Sequence, residues 1–174
     1  MNDDDVLFEK ALADVIRWEG GYNDHPNDKG GATNFGISLR FYQENIDPIA
    51  TKEHIQALTK KDAEEIYYKH FWQGRRYNEL PYIVSKRVFN FAVNMGHKRA
   101  VKLLQRAIMA ASEQRIAVDG ILGDITISRS RTTDPYCLRA AINSEAAGRY
   151  RYLAEKNPKL KVFLNGWLNR SYSL

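Results

Sequence analysis

The sequence is poor in cysteine and contains no metal-binding motif. Cys137 is its only cysteine, so the chain cannot form an internal disulfide and does not need an oxidising compartment to fold. A lone cysteine is far more often a small buried apolar side chain than a nucleophile, and we expect this of Cys137. The four histidines show no HExxH or similar pairing. We therefore predict no metal site and no cofactor.

Long apolar runs are also missing. No stretch of the 174 residues is long and apolar enough to span a bilayer. Residues 1–5 are acidic, and no apolar run that resembles a secretory signal follows them. These observations predict a protein made in the cytoplasm, without stable membrane insertion. A substrate outside the membrane would then require a separate export or release system.

The chain has an excess of positive charge but no basic block. Lysine and arginine number 26 against 21 acidic residues, which gives a net charge of +5. Such an excess favours polyanionic partners: nucleic acid, acidic membranes or an anionic cell envelope. The densest basic groups, at 75–76 and 149–151, are short, which argues against a nucleic-acid-binding arm.

Helical periodicity dominates the sequence. It predicts a mainly α protein, a bundle of about seven or eight helices with one small β-hairpin after the first helix. Ser38 is expected to cap a short helix over 38–47, and Thr59 to open a capping box before a stronger helix that runs to Trp72. The other strong helical patterns cover residues 6–18, 83–95, 98–112 and 135–156.

A carboxylate ends the first helical pattern. The apolar stripe of residues 6–18 continues to Glu19, which lies within roughly 60° of every stripe residue on the helical wheel. The stripe consists of Phe8, Leu12, Val15 and Ile16. Partial desolvation and the negative end of the helix dipole would both raise the pKa of Glu19, as a general acid requires. Taken alone, the pattern fits a capping or ion-paired surface glutamate at least as well.

The segment after Glu19 is polar and rich in glycine. Gly20-Gly21 can end the helix, and Gly30-Gly31 marks a tight turn. From Thr33 to Ser38 apolar and small polar residues alternate, which predicts a short hairpin beside Glu19. The segment does not fit a phosphate loop, because it lacks the GxxxxGK[ST] spacing and a preceding apolar strand.

These residues suit cleavage of a glycosidic bond, which needs a proton donor and a group that acts from the other side. Glu19 would be the acid. Thr33 would hold a water molecule, and Asp28 would polarise that water or stabilise positive charge. Tyr22 and Phe35 are candidates for sugar-stacking walls, although they fit the core equally well.

Three asparagines complete the candidate residues. Asn34 and Asn94 are further candidates for substrate binding. Asn90 and Asn94 interrupt the apolar helix 83–95, and buried amides need partners. They either support the site from behind or lie exposed on a partly buried helix.

Several motifs resemble glycoside hydrolase family 108. The opening signature is carried by Glu19 to Tyr22, Pro26, Asp28, Gly30-Gly31, Thr33-Asn34 and Phe35 to Ser38. Further family-like segments are Phe71-Trp72, Phe89 to Gly96, Leu103 to Ala107, Val118 to Gly123 with Thr126, and Gly166 to Arg170. The last groups resemble the predicted peptidoglycan-binding region that usually follows, so the resemblance covers nearly the whole chain.

The resemblance implies an N-acetylmuramidase, a lysozyme-type enzyme common in phages and prophages. It implies a lysozyme-like catalytic region over 1–95, with Glu19 as the catalytic glutamate, and a helical peptidoglycan-binding region over 96–174 that packs on it. The implied partner is bacterial peptidoglycan, cut at the β-1,4 bond between N-acetylmuramic acid and N-acetylglucosamine. An endolysin of this kind would reach the cell wall through a holin or a secretion system.

Two departures from the family pattern concern the helper residues. The set Glu19, Asp28 and Thr33 is similar to the Glu/Asp/Thr set of phage-type lysozymes, but one residue shorter between Asp28 and Thr33. Asn90 stands where relatives often have aspartate, so a supporting charge is lost and no catalytic role is assigned to it.

Three other functions are compatible with parts of the pattern. A lytic transglycosylase would use the same single acid, and a noncatalytic wall-binding or scaffolding protein would use the same surface without cleavage. A basic nucleic-acid binder is the weakest alternative, because it leaves the glycine-rich segment without a role.

Overall fold

The fold, seen in a computed structural model, is a helical bundle with one small hairpin near its start. The structure describes residues 3–19, 21–24 and 31–173, and for Asp3, Trp18 and Glu19 it describes the helix but not the side chain. Over these residues there are nine α-helices, one or two more than expected. They are α1 Asp3–Glu19, α2 Leu39–Asn45, α3 Lys52–Ala57, α4 Lys60–Tyr67, α5 Tyr82–Met95, α6 His97–Ala111, α7 Asp124–Thr132, α8 Pro135–Lys156 and α9 Lys161–Tyr172. None of them is both long and apolar enough to span a bilayer.

One continuous cluster of buried side chains joins the early and late helices. The apolar stripe of α1 enters this cluster as predicted, and α5, α6 and α8 supply most of the rest. Members from these four helices include Phe8, Leu12, Val15, Val88, Phe91, Leu104, Ile108, Ile142 and Tyr150. The helices before and after residue 96 therefore bury their apolar faces against each other.

Helices α1 and α5 pack against each other. Lys86 Nζ forms a 2.7 Å ion pair with Asp14 Oδ2, and Lys10 Nζ lies 5.8 Å from the centre of the Tyr82 ring. Phe8 of α1 also packs edge-on against Phe89 of α5 with ring centroids 6.1 Å apart, so polar and apolar contacts both attach α1 to α5.

The helix predicted over 59–72 changes character before it ends. The Thr59 capping box forms, since Thr59 N donates to Asp62 Oδ2 at 2.8 Å and Asp62 N donates to Thr59 Oγ1 at 3.2 Å. After α4, residues Tyr68–Trp72 form a π-helical turn. The Trp72 ring packs on Phe8, and its Nε1 donates to Asp4 Oδ1 at 3.0 Å. The wider turn accompanies this attachment to α1.

The hairpin forms, but its turn lies at Phe35-Gly36. Strands β1 (Thr33–Asn34) and β2 (Ile37–Ser38) are antiparallel, with Thr33 opposite Ser38. Phe35 and Gly36 have φ values of 50° and 80°, as in the two-residue turns that match strand twist. The prediction that Phe35 is a strand residue is therefore wrong, because alternation alone does not reveal a positive φ. Ser38 caps α2 as expected, its Oγ accepting from Phe41 N at 3.2 Å.

Cys137 is exposed, so the prediction that it is buried is wrong. Asp134 caps α8 by accepting hydrogen bonds from the backbone N–H groups of Tyr136 and Cys137 at 3.0 and 2.8 Å. This cap places Cys137 in the exposed first turn of the helix. A hydrogen bond to the Asp134 carboxylate and its negative charge raise the pKa of the Cys137 thiol. A raised pKa disfavours the thiolate, and with it nucleophilic chemistry.

Candidate active site

The candidate acid closes the first helix. Glu19 is the last residue of α1, about one turn after Val15, whose side chain is fully buried. Asp28 and the Glu19 side chain lie outside the described residues. Their assigned roles, and the distance between their carboxylates, stay predictions.

A backbone bridge returns the hairpin to the segment that follows α1. Asn23 N donates to Thr33 O, and Thr33 N donates to Asn23 O, both at 2.8 Å. Thr33 is half-buried, and its hydroxyl donates to the Gly31 carbonyl at 3.3 Å. This hydroxyl can still accept a hydrogen bond from water. The fold thus brings Thr33 close to the chain that leaves Glu19, while its catalytic role stays a prediction.

The segment that contains Tyr22 is also attached to α3. Lys52 Nζ forms a 2.7 Å ion pair with Asp24 Oδ2, and a hydrogen bond from this pair raises the pKa of Lys52. The Tyr22 side chain is 40% exposed, enough to leave part of its ring open to a sugar. β1 on one side and α3 on the other therefore hold an accessible aromatic side chain shortly after Glu19.

Asn34 and Phe35 have structural contacts. The Asn34 side chain is buried, and its Nδ2 donates to the carbonyl oxygens of Ile55, Gln56 and Leu58 at 3.1, 3.4 and 3.3 Å. These bonds satisfy carbonyl groups at the end of α3, which otherwise lack partners. The Phe35 ring is half-buried against the core, and its carbonyl accepts a 3.0 Å hydrogen bond from the Tyr67 hydroxyl. Direct substrate contact by either side chain stays a prediction.

Asn94 links the end of α5 to the late helices. Its side chain lies in an exposed position, and Oδ1 accepts a 2.6 Å hydrogen bond from the Tyr150 hydroxyl. The buried Tyr150 ring stacks on Trp167 with centroids 5.0 Å apart, and Trp167 stacks on the exposed Phe163 at 5.9 Å. Sequence reasoning missed Tyr150, because the bond to Asn94 spans 56 positions of the chain.

Asn90 is buried, as a supporting residue would be. Its Oδ1 accepts a 3.0 Å hydrogen bond from Arg170 Nε. Next to it the buried Arg87 guanidinium donates to Asn143 Oδ1 at 2.5 Å, and to the carbonyls of Arg170 at 2.6 Å and of Ser171. Burial, with repulsion from Arg170 and a further arginine, lowers the pKa of Arg87 to about 10. Arg87 stays charged near neutral pH, so a buried positive charge lies next to Asn90.

No metal centre is evident in the part of the chain that the structure describes. Over residues 3–19, 21–24 and 31–173, no group of three or more His, Cys, Asp and Glu side chains is arranged to hold an ion. His97 Nδ1 instead lies 2.7 Å from the Tyr77 hydroxyl, and His70 packs edge-on against Phe41.

A helical bundle whose first helix ends in glutamate beside a small hairpin belongs to the lysozyme-like class. The family model described as Glycosyl hydrolase 108 matches residues 12–96, and the one described as Predicted Peptidoglycan domain matches residues 99–172. The solved structure of Brucella abortus SagA is similar with a TM-score of 0.78 and 31% identity, over 96% of this chain and 90% of that chain. No curated protein sequence matches the chain. The chain belongs to the glycosyl hydrolase 108 family, and it is a glycoside hydrolase that acts on peptidoglycan.

Proposed function

We propose that the protein is an N-acetylmuramidase that hydrolyses the β-1,4 bond between N-acetylmuramic acid and N-acetylglucosamine, with Glu19 as the general acid. The observation that carries this proposal is the position of Glu19 at the end of α1, next to a hairpin-forming segment, in a chain of the glycosyl hydrolase 108 family. Catalytic glutamates of this type must keep a proton near neutral pH.

The end of α1 suits a carboxyl group that stays protonated. The carbonyl groups at a helix C-terminus carry partial negative charge, which disfavours a nearby carboxylate. The preceding turn contributes Val15 and the partly buried Ile16 to the core, so the polypeptide around Glu19 is apolar on one side. Both effects favour the neutral acid, which donates its proton to the leaving oxygen of the glycosidic bond.

The attack by water is assigned to residues of the hairpin and of the segment before it. Thr33 positions the attacking water through its hydroxyl, and Asp28 polarises that water or stabilises the oxocarbenium-like centre. Tyr22 offers a partly exposed ring to the sugar. Asn94, near the end of α5, is assigned to substrate binding. The backbone bridge between Asn23 and Thr33 supports this assignment, because it fixes the hairpin against the segment that follows Glu19.

The release of reducing sugar ends from purified peptidoglycan tests the role of Glu19 as the general acid. Glu19→Gln keeps the size of the side chain but cannot donate the proton, and we expect activity to fall by about a thousandfold or more. Glu9→Gln, an exposed position on the same helix, makes the same chemical change and should retain full activity. Full activity of Glu19→Gln would refute the acid assignment.

The product ends separate hydrolysis from the transglycosylase alternative. Mass spectrometry of the digest should find reducing N-acetylmuramic acid ends. Anhydromuramic ends in their place would identify a lytic transglycosylase that uses the same acid. Binding to sacculi by the wild-type protein with no cleavage product would favour a noncatalytic wall-binding protein.

To reach the wall in a cell, the enzyme passes the membrane through a holin pore or a secretion system, and it serves a phage or prophage as an endolysin. The resemblance to endolysins of this family supports this role. Expression in a bacterial host with and without a co-expressed holin tests it. Lysis only when the pore is present would support the holin, and equal lysis without it would assign the crossing to a secretion system of the host.

A further inference from the structure

A basic pocket lies between the first, fifth, eighth and ninth helices. It is a cavity of about 540 Å³, lined by Asp14, Arg17, Tyr82, Lys86, Arg139 and Tyr172 together with the buried Arg87 and Asn90 at its base. We propose that this basic pocket binds a carboxylate of the peptide stem that peptidoglycan carries on its muramic acid residues. The inference takes its ligand from the proposed function, since a stem is present only when the substrate is peptidoglycan.

The charge of the basic pocket is positive after its internal pairing is considered. Asp14 is its acidic lining residue and pairs with Lys86 at 2.7 Å. Among the residues that the structure describes, Arg17 and Arg139 have no acidic side chain within ion-pair distance. Arg17 is exposed and Arg139 is half-buried, so both guanidinium groups can meet a ligand from solution.

The buried floor adds to this positive charge. The Arg87 guanidinium is held by Asn143 and by two backbone carbonyls, none of which carries a formal charge. Its charge is therefore not neutralised by these contacts. A positive pocket with low-dielectric walls concentrates field on an anion that enters it. Arginine also binds carboxylates in a paired, planar geometry, which favours a carboxylate over a neutral sugar.

Two tyrosine rings give the basic pocket walls for a glycopeptide. Tyr82 is 47% exposed and Tyr172 is 56% exposed. Lys86 Nζ lies 5.4 Å from the centre of the Tyr82 ring, a cation–π contact that helps to orient the ring. Exposed tyrosines next to arginines suit a ligand that has apolar faces as well as an acid group.

The location of the basic pocket fits a group joined to the reacting sugar. Arg17 precedes Glu19 by two residues, which is a rise of about 3 Å along the axis of α1 and a rotation of about 200° around it, so the two positions lie on nearly opposite faces of the helix. The peptide stem begins on the lactyl group of N-acetylmuramic acid, whose glycosidic bond the enzyme cuts. An extended stem of several residues spans about 3.3–3.6 Å per residue, so its carboxylates can reach the pocket across the roughly 10–12 Å width of the helix. Arg139 and Tyr172 come from the part of the chain matched by the peptidoglycan family model.

Binding of soluble glycan strands tests the basic pocket without cleavage. The Glu19→Gln protein is titrated with strands that carry peptide stems and with the same strands after an amidase has removed the stems. We expect Arg17→Gln/Arg139→Gln, made in this background, to reduce the affinity ratio of stem-bearing to stem-free strands about tenfold. The ratio should also decrease as salt is raised, because exposed charges are screened.

Arg151→Gln is the matched control. Arg151 is an exposed arginine on the same helix as Arg139, outside the pocket lining. It removes the same charge and should leave the affinity ratio unchanged. Unchanged melting temperatures of all variants would show that folding is intact.

Three outcomes would overturn the inference. One is a ratio that does not change in the double variant, and the second is an equal change in Arg151→Gln. The third is that poly(glycerol phosphate) loses affinity for the double variant while the stem-bearing strands do not, which would assign the anion to a phosphate polymer. If the wild type fails to cleave but the stem preference exists, the proposed function fails and the pocket stands. If it cleaves without such a preference, the pocket fails and the function stands.

Discussion

Arg170 Nε donates a 3.0 Å hydrogen bond to Asn90 Oδ1, and both side chains are buried. The bond joins α5 to α9, and therefore joins the chain segments matched by the two family models. The acceptor is a neutral amide although Arg87 brings a second buried guanidinium to the same region. A charged acceptor would strengthen this bond, which makes Asn90 a sensitive position for stability.

Asn90→Asp should stabilise the fold near neutral pH. A carboxylate at Oδ1 would accept the Arg170 bond as a charged acceptor, and we expect about 1–2 kcal/mol of added unfolding free energy. Such an aspartate has a pKa below its unfolded value, so the gain is present above about pH 4 and is lost as the pH falls through the folded pKa. Urea unfolding at several pH values measures this gain. Lower stability than wild type near neutral pH would contradict the prediction.

Gly120→Ala should destabilise the turn between α6 and α7. Gly120 has a φ of 82°, and an added Cβ would lie 2.7 Å from the Lys98 carbonyl oxygen. Its N–H also donates to Gln105 Oε1 at 2.9 Å, a bond that fixes the turn. We expect a loss of about 1–3 kcal/mol in thermal or urea unfolding. Gly148→Ala is the control, since its Cβ meets nothing within 4 Å in a helix and should be neutral or stabilising.

Tyr150→Phe should destabilise the fold, because it removes the hydroxyl that donates to Asn94. The substitution removes the hydroxyl at 2.6 Å and keeps the ring that stacks on Trp167. A single hydrogen bond of this kind contributes about 1 kcal/mol, which urea unfolding would detect. Tyr152→Phe makes the same change at an exposed ring on the same helix and should have little effect. Equal losses in the two variants would show that the bond to Asn94 is not the cause.

His97 should make stability depend on pH. Burial, and to a lesser degree the charge of Arg75, lower the pKa of His97 from its usual 6.5. The unfolded chain then binds the proton more readily than the folded chain, so stability decreases as the pH falls below about 6.5. His97→Gln removes this titrating imidazole. The unfolding free energy of the variant should therefore change less between about pH 7 and pH 5 than that of the wild type. An identical pH dependence in both proteins would contradict the prediction.

The helix caps could be predicted from the sequence, because a cap depends on residues that are close together in the chain. Ser38 and Thr59 accept the hydrogen bonds expected of them, and α8 spans the predicted 135–156 range. The hairpin was found, but its turn was not, since Gly30-Gly31 is the stronger turn signal and Phe35 is an unusual residue at positive φ. The π turn before Gln73 accompanies the packing of Trp72 on α1, a long-range contact that no local pattern shows.

The supporting contacts of the site could not be predicted because they join distant positions. Asn90 was expected to need a partner, but nothing near it in sequence identifies Arg170. Asn34 was predicted to bind substrate, while its buried bonds to α3 arise only from the three-dimensional fold. Cys137 was misjudged because residue type is a weaker guide to exposure than the Asp134 cap.

The continuous core has a consequence for how such an enzyme can change in evolution. Phe91 of α5 and Leu104 of α6 belong to the same buried cluster, although they lie on opposite sides of the boundary between the matched segments. Separating the segments would expose apolar surface on both. The late helices should therefore not behave as an exchangeable cassette that recombination can swap between hydrolases. New wall specificities are expected to arise by surface substitutions, while the two segments are inherited together.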